Sequence, residues 1–104
     1  MDVIIFPTEG PPRKAEAPTY EGTDDEVSLD WLYGQIGCKM VEVIYIPEGE
    51  LWFDEEGEYA EPCVANAYAN NHFRKHLLRG DFLAGICVLV PNDVGLFNVL
   101  IKEA

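Results

Sequence analysis

Serine occurs once in the 104 residues, histidine twice and cysteine three times. The lone serine, Ser28, has no Gly-x-Ser-x-Gly elbow around it, which removes the common serine-hydrolase signature. Cys38, Cys63 and Cys87 are odd in number and widely spaced, with no Cys-x-x-Cys pair. That pattern excludes a secreted disulfide scaffold and predicts free thiols. Cys87, inside Ile86-Cys-Val-Leu-Val90, is expected to be a small buried hydrophobe. The glycines form neither a Walker A loop nor Gly-x-Gly-x-x-Gly. No apolar run approaches the ~20 residues that span a bilayer. Met1 to Phe6 has no basic stretch and too short an apolar run for a signal peptide, so the expectation is a cytosolic protein.

Basic residues are also scarce. Seven Lys and Arg face 19 Asp and Glu, a formal charge of −12, and the imbalance is uneven. Residues 1–61 hold 16 acids and 3 bases, a net of −13, whereas residues 62–104 hold 3 acids and 4 bases, a net of +1. The acidic half repels duplex nucleic acid and anionic lipid and attracts basic partners. Solubility alone, or a salt-loving host, accounts for the same composition. With 48% apolar and 12% aromatic residues the chain is globular rather than disordered. Its length predicts a single α+β domain over residues 1–104.

The segment that organises the chain is Met40–Gly57. Val41, Val43, Ile44, Tyr45 and Ile46 are β-branched or aromatic and suit a pleated surface. Pro47-Glu48-Gly49 supplies a turn, Leu51-Trp52-Phe53 a second strand, and Asp54–Gly57 an acidic turn, which together predict a β-hairpin. Asp2–Phe6 reads as a strand, and Arg13–Tyr20, interrupted by Pro18, as an edge strand paired to it. Leu29, Leu32 and Ile36 share a helical face behind Ser28 as N-cap, with Gly37 as the stop, which predicts a helix over 28–36. Val64–Gly80 predicts a second, long helix. Ile86–Pro91 reads as a strand, and Leu96–Ile101, an apolar run without a distinguishing period, is taken as a final strand. The expected architecture is an antiparallel or mixed sheet of about five strands with two helices.

Candidate chemistry is sparse. His72 and His76 stand at i, i+4, where one helical face would present both imidazoles to a metal, as a small metal-dependent hydrolase would require. Phe73 occupies the place of the glutamate of His-Glu-x-x-His. Arg74, Lys75 and Arg79 cluster late in the same helix and could hold a nucleotide-like anion; a solvated basic helix end is the plainer reading. Asp54, Glu55 and Glu56 lack calcium-loop spacing and read as a charged hairpin tip. Trp52 and Phe53 are strand neighbours and so face opposite sides of the sheet. A sheet covered by helices on one face leaves one of them outside, which points to association, either with another protein or as a homo-oligomer. No cofactor, membrane or duplex nucleic acid is implied.

The run Val41-Glu-Val-Ile-Tyr-Ile-Pro-Glu-Gly49, with Asp54-Glu-Glu-Gly57, Asn66 or Asn70, Gly80-Asp81 and Gly85, resembles a domain-of-unknown-function family of phages, large DNA viruses and mobile elements. The likeness runs from about Trp31 to Val90. This chain carries Asp54 where asparagine is usual. The resemblance implies a small α+β domain and a viral or mobile-element origin, and it brings no activity with it. The expected function is that of a non-enzymatic accessory protein that binds a host or viral protein, with an acidic decoy for a nucleic-acid-binding surface as one form of that role. The alternatives are a binder of small anions and a metal hydrolase.

Overall fold

The computed structural model describes residues 1–102, and the elements below are those among the described residues. They run β1 (Asp2–Phe6), β2 (Arg13–Glu16), α1 (Leu29–Ile36), β3 (Val41–Ile46), β4 (Gly49–Asp54), α2 (Ala67–Phe73), β5 (Cys87–Pro91) and α3 (Gly95–Lys102). All strand pairs are antiparallel, in the order β2-β1-β5-β4-β3. The fold is α+β, as the sequence predicts, with an antiparallel rather than a mixed sheet.

Two apolar layers form because both faces of the sheet are covered. On one face Ile4, Phe6, Leu51, Cys87 and Leu89 pack with Phe73 of α2 and Leu100 of α3. On the other, Val3, Ile5 and Val88 pack with Leu32 and Ile36 of α1. In β1 every residue from Val3 to Phe6 is therefore buried, which explains its uninterrupted apolar run. The one-sided cover expected of the sheet is thus corrected. Trp52 joins the α1 face and Phe53 the α2 face, and both are half-buried.

Local signals set most boundaries. The Ser28 hydroxyl accepts from the Trp31 amide at 3.4 Å, and Gly37 closes α1 in the left-handed conformation at φ 76°. The Pro47-Glu48 turn is tied down by Asn92, whose Nδ2 donates to Pro47 O at 2.9 Å and whose amide donates to Glu48 O at 3.0 Å. Gly49 lies at φ 144°, with its α-carbon pressed against the Val90 carbonyl of the adjacent strand. No side chain fits there.

Two expectations fail. Leu96–Ile101 is helical, within α3, and not a strand. Asp93 Oδ1 accepts from the Gly95 amide at 2.8 Å and starts the turn, while Leu96, Phe97, Leu100 and Ile101 pack onto the α2 face of the sheet. The long helix over Val64–Gly80 shrinks to α2, followed by one 3-10 turn at Arg74–His76. Asn66 is the reason for the late start. It is fully buried, and its Oδ1 accepts from the Ala69 amide at 3.0 Å as the N-cap of α2. Its Nδ2 donates to Phe6 O at 2.8 Å and to Gly85 O at 2.9 Å. Asn70, one turn on, donates to Asn66 O and to Leu83 O, each at 2.8 Å, and accepts from the Leu83 amide at 2.7 Å. The two asparagines clamp the 83–85 segment to α2 and to the end of β1.

Candidate functional site

The histidines and the basic side chains named for chemistry in the sequence do not converge. His72, in α2, packs edge-on to Phe6, with ring centroids 6.3 Å apart. His76 lies beyond the end of α2, in the 3-10 turn, where its Nε2 is 3.4 Å from Glu48 Oε1 of the β3–β4 turn. That contact is too poorly aligned to count as a hydrogen bond, and Nε2 is otherwise buried without a partner. Because α2 stops at Phe73, His76 stands in a 3-10 turn rather than one α-helical turn on from His72 in a continuous helix. Among the described residues no group of three or more His, Cys, Asp or Glu side chains is arranged to hold a metal ion. Arg74, Lys75 and Arg79 are all exposed; Arg74 Nε donates to Asp81 O at 3.3 Å. None of the three lines a cleft described below.

Two of the three thiols are held away from the thiolate form. Cys87 is buried, and burial pushes its pKa up to about 12. Cys38 is also raised, first by burial and then by the Asp54 carboxylate. Both effects disfavour the thiolate, the nucleophilic form.

The concave surface of the molecule gathers instead around β3 and β4. On the α2 face a groove of about 240 Å³ is floored by Ile44 and Phe53 and walled by Leu77 and Leu78. Glu42, Asp54, Glu55, Glu58 and Asp81 line it, so the groove carries five carboxylates, with His76 at one end. On the α1 face a broader groove of about 450 Å³ is lined by Tyr20, Leu29, Tyr45 and Trp52, with Glu26 and Glu50 at its rim. The Trp52 indole donates to Glu50 Oε1 at 3.2 Å, which fixes the ring at the groove floor. Tyr45 is 77% exposed, Tyr20 57% and Leu29 41%, so this groove is apolar and open to solvent. Asp54 lines both the first groove and a third cleft, where Glu56 lies with Cys38, Met40 and Tyr59.

Strand β3, between the two grooves, is an edge of the sheet. The opposite edge, β2, is blunted: it is four residues long, flanked by Pro12 and Pro18, and carries Lys14, whose Nζ is 3.4 Å from Asp2. By contrast β3 has six residues, contains no proline and bears a single charge, Glu42. Tyr45, Tyr20 and Leu29 are the surface residues that sequence reasoning missed. The alternation of β3 places Tyr45 on the same face as Trp52, and that was the available signal; which face α1 leaves open was not in the sequence.

No family model, curated protein or solved structure matches the chain. The site therefore rests on its own geometry. The positions quoted for the phage and viral resemblance perform structural work here. Gly49 admits the Val90 carbonyl, Gly57 lies against the Ala84 carbonyl, and Asn66 and Asn70 form the clamp.

Proposed function

We propose that the chain is a non-enzymatic accessory protein, of viral, phage or mobile-element type, that binds a host or viral protein through the surface around β3 and β4. The observation that carries this reading is the open groove of Tyr20, Leu29, Tyr45 and Trp52, rimmed by Glu26 and Glu50. Exposed aromatics beside half-buried ones are what association surfaces present, because their burial releases a large apolar area at low entropic cost. The acidic half of the chain supports a basic partner and leaves room for a decoy role, in which carboxylates occupy a surface that otherwise receives nucleic-acid phosphates.

A photo-crosslinking residue at position 45, compared with one at position 16 on the blunted edge, tests the reading in extracts of the native host cell. Capture of a defined protein from position 45, lost on Trp52→Ala, is the expected outcome. Equal capture from both positions overturns it.

A further inference from the structure

We propose that β3 receives an extended basic segment of the partner as a sixth strand, with basic and apolar side chains alternating into the two grooves. This inference rests on the protein-binding reading above and specifies the chemistry of the partner. In the β3–β4 ladder the Glu55 amide donates to Met40 O at 3.1 Å, which makes residues 40 and 55 a hydrogen-bonded pair. The register is continuous from Val41↔Asp54 to Ile46↔Gly49, so Glu42, Ile44 and Ile46 also bond to β4. The amides and carbonyls of Val41, Val43 and Tyr45 consequently point to the open edge. Such a row is a template for an added strand unless it is blocked, and β3 is six residues long, has no proline and carries one charge, Glu42, which lies on the α2 face rather than along the pairing edge.

The two grooves then dictate the sequence of the added strand. Residues opposite Val43 and Tyr45 lie on the α1 face, beside Trp52 and Leu29, and are apolar. Residues opposite Glu42 and Ile44 lie on the α2 face. A Lys or Arg there lays its alkyl stem on Ile44 and Phe53 and brings its charge to Asp54, Glu58 and Asp81. A second copy of this chain is the poorer occupant. Antiparallel pairing of two β3 strands about a twofold axis sets the five carboxylates of one groove on the same face as the five of its mate.

The test uses a synthetic peptide of alternating type, Lys-Val-Arg-Ile-Lys-Val, and the intact protein observed by amide NMR. Binding should slow hydrogen exchange at Val41, Val43 and Tyr45 and weaken with added salt. Methylating alternate peptide nitrogens on the pairing edge should weaken binding roughly tenfold or more, because at least one strand-to-strand hydrogen bond is lost and one donor or acceptor is left bare. Val43→Pro removes a donor that faces the open edge and leaves the β3–β4 bonds in place, so it should fold and lose a similar factor. The N-methylated peptide gives the same information if that variant does not fold. Peptide binding without protection of the three amides, and indifferent to N-methylation, overturns the added strand and leaves the protein-binding reading standing. No peptide binding, together with no partner crosslinked from position 45, overturns both. Protection of the three amides without peptide, in a species of twice the chain mass, overturns the basic occupant in favour of a second copy.

Discussion

Replacing Asn66 by alanine should cost more than any other polar substitution in this chain. The side chain is fully buried and makes three hydrogen bonds, as acceptor from the Ala69 amide and as donor to the carbonyls of Phe6 and Gly85. Alanine deletes all three bonds inside an apolar layer: the Ala69 amide loses its cap acceptor, and the Phe6 and Gly85 carbonyls each lose a donor. Each unsatisfied group costs about 1–3 kcal/mol, and loss of the helix cap by itself costs about 0.5–2 kcal/mol. Partial rescue by water and relaxation brings the expected total to about 3–5 kcal/mol. A domain of this size has only about 5–15 kcal/mol in hand, so the midpoint should fall by roughly 15–30 °C. Thermal and urea unfolding, each followed by the fluorescence of Trp31 and Trp52, measure the midpoint and the free energy. Asn66→Ser restores the cap but not the two donor bonds and should recover about 1 kcal/mol. Because the clamp holds the segment next to Ala84 and Asp81 that walls the acidic groove, Asn66→Ala should also speed amide exchange at residues 83–85. A loss below about 1 kcal/mol with unchanged denaturant slope would refute the reasoning, since it would mean that water or neighbouring groups replace all three bonds.

Gly49→Ala places a methyl group against the Val90 carbonyl at φ 144° and should destabilise the fold by about 3 kcal/mol, which thermal unfolding would reveal. Native labelling with a thiol reagent should modify exposed Cys63 within minutes and leave buried Cys87 untouched until unfolding; equal rates would contradict the packing. Burial lifts the Cys87 pKa from 9.0 to about 12, so its thiol stays protonated in the folded state while the unfolded one ionises. The contribution is complete below pH 9 and disappears as pH climbs toward 12, at a slope near 1.4 kcal/mol per pH unit that Cys87→Ala should remove.

Most of the local structure was legible because it depends on neighbours in sequence. The hairpin from Val41 to Asp54 follows from β-branched residues about a Pro-Glu-Gly turn. Helix α1 follows from Ser28 and Gly37 at its ends. Strand β2 pairs with β1 at the edge of the sheet as read, but it ends at Glu16, before Pro18, rather than running on to Tyr20. The misreadings share one cause. Leu96–Ile101 is too short and too apolar for its period to separate strand from helix, and its packing against β2 and the α2-face core decided for helix. The segment after Phe73 has helix formers and a basic end, yet Leu77 and Leu78 are drawn away to wall the acidic groove.

The sequence by itself determined an acidic α+β chain, its hairpin and the caps of α1, because composition, turn chemistry and periodicity act over a few residues. Only the tertiary structure decided that β5 inserts between β1 and β4, since strand order depends on pairings between residues more than thirty positions apart. That insertion makes β3 an edge and leaves Tyr45 in solvent beside Trp52. It also brings carboxylates from β3, the acidic turn and Asp81 into one groove. A charge count cannot foresee such a meeting, because the chain must first close its loops before distant side chains share a surface.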